Sequence, residues 1–491
     1  MNSKKNLKRN LLICLLAGSA VMYTLPLHAA TSVIGNNTLP TGENSLTHNH
    51  KFDRGNLEMT ITQSGSNGII KWDSFDVGGS ATVNFRGDAG GYNVLNYVNG
   101  ANASQIYGTI NANNNGNIFI VNPAGVQIGN SAQINVGSLY VSNNEMNDAD
   151  FNHFMNNADP NKIINYALQG KSTEAALMSL GNINANHVTF EGDGRIVIDS
   201  ERIKDVDGTE KLTADKIFVN TKDENNLVIG YDGYDENNGG SYNTASEDIN
   251  IVTVNGNGFA QNKGYMWVED VNQLQDIDTN LEGNYALRNS IDATATSSWN
   301  NNDGFKQIGT ANNEFTGKFD GLDYNIFGLT INRSGENNVG LFGVVDGANI
   351  NNVTLVGGSI TGGQSVGAIV GSARDSVISN STNSTAVNGD YNIGGIVGDA
   401  RNSTLTNLIN TGTIGAATGD GNRIGGLVGN LQESSLGGNS YNLGAVTSVG
   451  HDVGGLVGHA YDATIGDGTN LVYNRLDVTG AYNVGGIVGN M

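Results

Sequence analysis

The sequence predicts an all-β protein, a right-handed parallel β-helix whose coils stack into a solenoid. Two observations carry this prediction. Glycine and asparagine separate short β-branched runs along the chain, as turns separate strands. One glycine-rich phrase also recurs at intervals of 27 to 31 residues in the last third of the chain, and its six copies begin at Val339, Val366, Ile393, Ile424, Val453 and Val484. A unit of this length cannot bury its own apolar face, so each copy needs a neighbour.

Composition narrows the class of protein. The 491 residues include 69 glycines but only 4 prolines, which fits neither collagen nor a proline-rich linker. Only 15% of residues are charged, so disorder driven by charge is a poor explanation. The formal net charge of −22 argues against nucleic acid as a partner, because phosphate backbones are bound by clustered Lys and Arg.

Residues 1–30 have the pattern of a secretory signal peptide. Four cations (Lys4, Lys5, Lys8 and Arg9) precede an apolar run, and small residues follow at positions 29 and 30. Removal of this segment changes the formal charge from −22 to −26 and also removes Cys14, the one cysteine. We therefore expect an exported protein without disulfides.

The first region after the signal, residues 31–230, consists of short alternating runs that predict β-helix coils. A small helical insertion is predicted near residues 148–180, where apolar residues recur at helical intervals and Pro160 separates two short helices. Phe151, Phe154 and Met155 belong to the first of these helices.

Three further segments follow. Residues 231–260 are polar and predict a linker. Residues 261–335 are rich in aromatics and predict an atypical unit that seals one end of the repeat stack and leads into the repeats. Residues 336–491 hold the repeats. Because the chain stops one residue after the sixth phrase, leaving an open coil, we expect the sequence to be a truncated part of a longer protein.

Each repeat is expected to form a three-sided coil. The phrase is constant while the intervals vary, which predicts one fixed strand, and two further strand-like runs complete the unit. The first glycine of each phrase predicts a bend or close backbone approach, and these residues are Gly340, Gly367, Gly394, Gly425, Gly454 and Gly485. Four asparagines (Asn383, Asn410, Asn442 and Asn474) each precede an apolar residue by four positions, and we expect them to form a structural amide ladder. In the first unit, Val356 takes that place.

The region from residue 31 to about 220 contains phrases in a specific order, among them Ile70-Lys-Trp-Asp-Ser-Phe-Asp-Val and Ile120-Val-Asn-Pro-Ala-Gly-Val-Gln-Ile-Gly. These resemble the secretion domain of two-partner-secretion exoproteins of the filamentous-haemagglutinin type. The family has Asn-Pro-Asn where this chain has Asn122-Pro123-Ala124. The resemblance implies a secretion motif at Asn122, Pro123 and Gly125. Both a local structural role and direct contact with a transporter are open for this turn.

The six repeats resemble the GLUG motif of bacterial surface proteins, which has no defined biochemical activity. Together the resemblances imply passage through the periplasm of a Gram-negative cell and export by an outer-membrane transporter, a β-barrel with periplasmic domains. We expect a secreted or surface-exposed adhesin with a host-cell or bacterial receptor. Two alternatives remain: the stalk of a contact-dependent toxin whose enzymatic C-terminus is missing, and a β-helix enzyme acting on polysaccharides.

The sequence predicts no enzyme, no catalytic residue, no cofactor and no metal. His48 and His50 are two possible ligands without a third, which makes a weak metal site. The run from Asp276 to Asn280 begins like a calcium loop but has Leu281 where the turn glycine belongs. The glycine-rich runs lack the Gly-Lys-Ser/Thr ending of a phosphate loop.

Overall fold

Parallel pairing between successive coils organises the chain, and it is described here from a computed structural model. The structure describes residues 34–157, 176–192, 194–210, 212, 217–221, 227–243, 252–253, 264–416 and 422–491. The predicted signal peptide, the second predicted helix after Pro160 and much of the predicted linker lie outside these residues. The described residues belong to one unit, Ile34–Met491.

Three sheets form the N-terminal coils. Sheet I contains Asn44–Ser45, Asn67–Trp72, Asn93–Val98, Asn117–Val121, Ser138–Ser142, His187–Glu191, Ile217–Asn220 and Val252–Thr253. Sheet II contains His50–Arg54, Glu58–Gln63, Thr82–Gly87, Thr109–Ala112, Gln133–Asn135, Asn182–Asn184 and Ile203–Lys204. Sheet III begins with Ser104–Ile106, Val126–Ile128, Leu177–Ser179, Ile196–Asp199 and Leu227–Tyr231. One strand from each sheet makes a three-sided coil.

Sheet III continues into the second half of the chain. Its strands there are Tyr265–Val268, Asn284–Leu287, Ile291–Asp292, Lys318–Asp320, Asn325–Phe327, Asn349–Asn351, Thr354–Val356, Val377–Asn383, Thr404–Asn410, Ser435–Gly437, Tyr441–Asn442, Thr464–Ile465 and Tyr473–Asn474. A separate antiparallel hairpin joins Tyr234–Asp235 to Ser241–Tyr242.

Three more sheets complete the repeat coils. Sheet IV contains Thr330–Asn332, Ser359–Thr361, Ala386–Gly389, Ile414–Ala416, Val446–Thr447 and Val478–Thr479. Sheet V contains Gln364–Gly367, Tyr391–Gly394, Asn422–Gly425, His451–Gly454 and Tyr482–Gly485. Sheet VI contains Phe342–Asp346, Val370–Arg374, Val397–Arg401, Val428–Gln432, Val457–Tyr461 and Val488–Asn490.

Columns of apolar side chains fill the interior because parallel pairing keeps equivalent residues in register. In sheet II, one column is fully buried and runs through Met59, Val83, Ile110, Ile134, Ile183 and Ile203. Burial of each such side chain stabilises the fold by about 1.5–3 kcal/mol. The alternate residues of these strands point outward, as the period of two requires. The all-β solenoid predicted from the sequence is confirmed.

The first coil is covered by antiparallel strands. Asn44–Ser45 pairs antiparallel with Asn67–Trp72, and His50–Arg54 pairs antiparallel with Glu58–Gln63. A parallel stack would otherwise begin with a row of unpaired backbone groups, which invites pairing with other chains. The outermost strand carries Lys51, Asp53 and Arg54, and such charges discourage further strand addition.

Helices are few among the described residues: Asp148–Asn157 and Val271–Asp276, with short 3-10 turns at Ser200–Arg202, Glu236–Asn238, Ile277–Thr279, Thr294–Ser298 and Asn300–Asn302. The helix Asp148–Asn157 lies on the outer face of sheet I. Phe151 packs edge-on against Tyr97, and Phe154 packs edge-on against Phe119. The predicted insertion is shorter than expected at its C-terminal side, because Leu177–Ser179 is already a strand paired with Val126–Ile128.

The solenoid is not interrupted where the linker was predicted. Gly230 and Tyr231 pair in parallel with Tyr265 and Met266, so sheet III runs across residues 231–260. The aromatic-rich segment is likewise no end cap, because Lys318–Asp320 pairs onward with Asn349–Asn351. Paired strands on both sides place this segment inside the stack.

The complete repeat coils have four or five strands, not the predicted three, because sheet III contributes one or two strands to each. The glycine-rich phrase itself divides into two strands, as in Tyr391–Gly394 of sheet V and Val397–Arg401 of sheet VI. Glycine allows the sharp bend between them because it has no β-carbon. The phrases still stack in the predicted register, since Ile393 pairs with Ile424 and Gly394 with Gly425.

Left-handed backbone explains why asparagine is so common in the repeats. The residue directly before each phrase has a φ between 49° and 59°, and this column comprises Asn338, Ser365, Asn392, Arg423, Asp452 and Asn483. Among residues other than glycine, asparagine and aspartate tolerate this conformation best. The asparagines of this column, Asn338, Asn392 and Asn483, therefore mark corners of the coil.

Candidate functional site

The predicted secretion motif forms a buried turn at a corner of the N-terminal solenoid. The backbone N–H of Gly125 donates to the carbonyl of Asn122 at 2.8 Å, which closes a four-residue turn. The Asn122 side chain is fully buried, and its Oδ1 accepts from the N–H of Ala124 at 2.9 Å. Asparagine at the first position and proline at the second are the residues that such a turn prefers.

Asn122 also ties this turn to the preceding coil. Its Nδ2 donates to the carbonyl of Asn102 and to Oγ of Ser104, both at 3.0 Å. Both amide donors are thus used within the protein, while Pro123 and Ala124 are half-buried. In the folded chain, Asn122 positions the turn, and only Pro123 and Ala124 present side-chain surface to a partner.

Gly125 is required at its position for two reasons. Its φ is 108°, a conformation that side chains rarely adopt. A β-carbon there would also lie 2.7 Å from the carbonyl oxygen of Ala176. Ala124, where the family has a second asparagine, contributes its backbone N–H to the turn, so this departure leaves the local geometry intact.

His50 uses both ring nitrogens inside the protein. Its Nδ1 lies 2.7 Å from Oγ of Ser45, and its Nε2 lies 2.9 Å from Oε1 of Gln63. These contacts hold the ring among the antiparallel strands Asn44–Ser45 and His50–Arg54, which cover the first coil and are called the N-terminal cap here, and the neighbouring strand Glu58–Gln63. Neither ring nitrogen is directed at a metal. His48 lies in an exposed turn nearby.

Acidification should loosen this cap. Burial lowers the pKa of His50 from 6.5 to about 4, and the Gln63 contact opposes this only in part. The folded state therefore favours the neutral ring, so its stabilising contribution is complete above pH 6.5 and is lost as the pH falls toward 4. Hydrogen exchange of the His50–Arg54 amides, corrected for intrinsic rates, should accelerate between pH 6.5 and 5. His50→Gln should remove this dependence, and an equal acceleration in both proteins would contradict the assignment.

The carboxylates of the calcium-like run are engaged by the protein. Asp276 accepts from the Tyr234 hydroxyl at 2.5 Å, and Asp278 pairs with Nζ of Lys306 at 2.7 Å. The run is also helical and not a loop. An open pocket of about 460 Å³ lies here, and it is lined by Gln275, Asp276, Asp278, Thr279, Trp299, Asn300 and Lys306. Within the described residues, no group of three or more His, Cys, Asp or Glu side chains is arranged to hold a metal ion.

The first glycine of each repeat phrase lies where the backbone folds tightly. A β-carbon on Gly425 would lie 2.0 Å from the carbonyl oxygen of Val428 and 2.6 Å from that of Leu456 in the next coil. The predicted set of six shares close contact with backbone atoms, at distances of 1.8 to 2.6 Å: Gly340, Gly367, Gly394, Gly425, Gly454 and Gly485. Backbone cannot be displaced as a flexible side chain can, so glycine is dictated here by space.

The second glycine of the phrase makes room for the asparagine column. A β-carbon on Gly426 would lie 2.4 Å from the amide carbon of Asn442, and one on Gly455 would lie 2.5 Å from that of Asn474. The two features singled out in the sequence therefore face each other across the coil interior. This contact was not evident from the sequence, where the glycine and the asparagine are 15 to 19 residues apart.

The asparagine column forms a continuous chain of amide hydrogen bonds. Asn383 donates to Asn410 at 2.9 Å, Asn410 to Asn442 at 2.8 Å, and Asn442 to Asn474 at 2.9 Å. Each of the first three amides is fully buried and also bonds to the backbone two residues further on. These polar groups are satisfied within the core, as burial requires.

In the first unit, the position equivalent to Asn383 is occupied by Leu355. The sequence spacing had predicted Val356 at this position. Leu355 pairs with Asn383, while Ile360 pairs with Val387. The first unit therefore has one more residue between these points than the second unit. Two consecutive glycines, Gly357 and Gly358, both with positive φ, accommodate the extra residue in a turn.

Several polar features were not predicted. A second amide ladder runs along the outer face of sheet II through Asn84, Asn111, Asn135 and Asn184, with hydrogen bonds of 2.6 to 3.0 Å. Its signal in the sequence is an asparagine after the central isoleucine or valine of successive strands. Arg195 also pairs with Asp320 and Asp323, and this ion cluster joins residues 125 or more positions apart. Such long-range pairing leaves no local signal.

The capped stack, with its helix-covered first sheet and buried Asn-Pro-Ala-Gly turn, defines a protein of the parallel β-solenoid class. Among the described residues, no helix is long and apolar enough to cross a membrane. The family model for the TPS secretion domain matches residues 32–426. The chain therefore belongs to the TPS secretion domain family, and the match extends well beyond residue 230 into the repeats.

Three known proteins illustrate what this chain is similar to. Halomucin from Haloquadratum walsbyi is 36% identical over 178 residues, which are 34% of this chain and 2% of that protein. The heme/hemopexin-binding protein of Haemophilus influenzae is 34% identical over 108 residues, 22% of this chain and 12% of that protein. The chain thus corresponds to a small part of either relative's length. The HMW1 secretion domain of Haemophilus influenzae aligns over 88% of this chain and 100% of its own, at 15% identity and a TM-score of 0.25.

Proposed function

We propose that this chain is the exported part of a two-partner secretion system and acts as an adhesin. The observation that carries the proposal is the family match, which covers the capped coils, the Asn122 turn and the first three of the six repeat phrases. Export would bring the chain through the periplasm to the cell surface or the medium. The partner would be a dedicated outer-membrane transporter that recognises the N-terminal coils.

The solenoid suits this route because its coils can fold one after another. Each coil pairs mainly with its two neighbours, so folding outside the cell can advance in the order in which the chain emerges. The capped first coil gives the stack a defined starting end. Each folded coil also adds buried apolar surface, which disfavours return through the transporter.

An adhesive role fits the outward columns of the stack. Parallel register repeats each outward position from coil to coil at about 4.8 Å, which creates long polar surfaces. We propose that such surfaces contact a receptor on host cells or bacteria and that the chain is not an enzyme. The six phrases extend the solenoid formed by the repeats and leave space for its asparagine column. The resemblance of the phrases to the GLUG motif stays a prediction.

Adhesion can be tested with the exported chain purified from the culture medium. Beads coated with it should bind epithelial cells or extracellular matrix more strongly than beads coated with an unrelated acidic β-solenoid of similar size. A hemopexin-coated surface belongs in the same assay because two relatives carry hemopexin in their names. Equal binding by both kinds of bead to every surface would contradict the adhesin proposal while leaving export unaffected.

A further inference from the structure

Cations are scarce in the repeats and are concentrated on one side. Residues 336–491 contain no lysine and four arginines, of which Arg374 and Arg401 lie on sheet VI and Arg423 on sheet V. The two histidines of this region, His451 and His459, lie on the same two sheets. Since the repeats are acidic overall, this distribution marks one side of the stack.

Side chains from the two sheets meet in a connected cluster. Asp399, Asn430 and His459 occupy equivalent positions in three successive coils. Nδ2 of Asn430 donates to Asp399 at 2.6 Å, and Oδ1 of Asn430 lies 3.1 Å from Nδ1 of His459. Nε of Arg401 donates to Asp399 at 3.1 Å. We call these residues, together with Arg423 and Tyr391, the arginine face.

Among the three arginines of sheets V and VI, Arg423 has the guanidinium with the weakest polar contacts. It reaches Asn430 only at 3.5 Å and lies over the Tyr391 ring at 5.3 Å from the ring centroid. Arg401, by contrast, is paired with Asp399, and Arg374 is paired with Glu314 at 2.9 Å. The face therefore carries one cation without a carboxylate partner among the described residues, held in place by an aromatic ring.

An unsatisfied buried acceptor lies next to Tyr391 in the chain. Asn392 occupies the corner position that Arg423 occupies one coil later, since both directly precede paired isoleucines. Its side chain is 7% exposed, and its Oδ1 has no hydrogen-bond partner in the described part of the chain. This oxygen is itself shielded from solvent, so it is a local cost in free energy and not a contact for a ligand outside the fold.

Aromatic rings flank the cluster along sheet V. The Arg423 guanidinium lies over the Tyr391 ring. Two coils further on, the His451 ring stacks on the Tyr482 ring, with 4.7 Å between the ring centroids and the rings nearly parallel. Tyr461 is exposed at the end of the neighbouring sheet VI strand. Rings with an apolar face and a polar edge are suited to ligands that are themselves amphipathic.

We propose that the arginine face binds a polysaccharide in which acidic and neutral sugars alternate, lying along the solenoid axis. The cluster extends over three coils, each rising about 4.8 Å, which suits an extended chain of sugar units. One unpaired guanidinium would bind one carboxylate through two parallel hydrogen bonds. The half-buried His459 ring supplies a polar edge for sugar hydroxyls, and Asp399 would repel a second carboxylate next to the first.

The inference deepens the proposed adhesive function by naming its ligand class, and it can be tested on the purified exported chain. The probe is a hyaluronan oligosaccharide immobilised for interferometry, with dextran and poly-L-glutamate as comparison surfaces. We expect salt-sensitive binding to hyaluronan and much weaker binding to the other two polymers. Arg423→Gln should weaken binding by about tenfold or more. Arg423→Lys should weaken it by less, because lysine keeps the charge but not the two parallel N–H donors of the guanidinium.

Arg475→Gln is the matched control, since Arg475 is the fourth arginine of the repeats, is exposed and follows the sheet III strand Tyr473–Asn474. It should bind hyaluronan within about twofold of the unaltered chain, because only remote charge is lost. Unchanged thermal melting of each variant establishes that folding is intact. The proposal is overturned if hyaluronan does not bind, if poly-L-glutamate binds equally well, or if Arg475→Gln weakens binding as much as Arg423→Gln. Because the assay uses purified chain, such a failure leaves export and adhesion to cells standing.

Discussion

Replacing Gly425 with alanine should destabilise the central repeat coils by about 3 kcal/mol or more. The new β-carbon would lie 2.0 Å from the Val428 carbonyl oxygen, 2.6 Å from that of Leu456 and 2.7 Å from the N–H nitrogen of Gly458. All three atoms belong to the backbone of this phrase or of the next coil, so relief requires the backbone of the stacked coils to move apart. Hydrogen exchange of the amides in Asn422–Gly425 and His451–Gly454 should accelerate first.

Gly486→Ala is the control for this substitution. Gly486 is the second glycine of the last phrase, and a β-carbon there would meet nothing within 4 Å. We expect exchange in the central coils to be unchanged in this variant. Equal effects from both variants would show that loss of glycine flexibility, and not backbone contact, determines the result.

Replacing Asn410 with alanine should cost roughly 3–5 kcal/mol of local stability. The Asn410 amide bonds to Asn383 on one side, to Asn442 on the other and to both backbone groups of Gly412. Its removal leaves several buried groups unsatisfied, each at about 1–3 kcal/mol, and creates a small cavity. Protection of the Thr404–Asn410 amides from hydrogen exchange should fall accordingly.

Asn111→Ala provides the matched comparison. Asn111 also accepts from and donates to asparagines of neighbouring coils, at 2.9 and 3.0 Å, but it lies on the outer face of sheet II. Water can replace its bonds, so we expect a loss of less than about 1 kcal/mol. A loss as large as that of Asn410→Ala would mean that burial is not what makes the inner column important.

The features predicted from the sequence are those that repeat locally. The stacking of the phrases needs only a fixed period, and the spacing of Asn383, Asn410 and Asn442 singled out a set of residues that stack in one column. The position of Val356 was wrong by one residue because the turn at Gly357 and Gly358 is longer than its counterparts. A fixed offset cannot reveal an inserted residue.

Other features depend on contacts between distant residues. The phrase was expected to form one strand, whereas the bend after Gly394 divides it, and glycine spacing alone does not distinguish a flat strand from a folded one. Composition alone predicts a linker after Tyr231, because it does not show that the strands on either side pair with each other. The arginine face likewise becomes visible only when Asp399, Asn430 and His459 are placed in register.

The turn at Asn122 could be predicted only in part from the sequence. Its residue types predicted a turn, and the structure places Asn122 in one, but burial of its side chain could not be derived from the motif. That burial favours a structural role for Asn122 in the folded chain. Any recognition of this corner by a transporter would then use Pro123, Ala124 or the chain before it folds.

Deletion of the gene for the partner transporter tests the central proposal most directly. Culture medium from the deletion strain is assayed for the chain by immunoblotting, with a periplasmic enzyme as the marker for lysis and a plasmid-borne transporter for complementation. We predict that the chain disappears from the medium and the cell surface in the deletion strain and returns on complementation. Equal amounts in the medium with and without the transporter, at equal lysis, would contradict export by two-partner secretion.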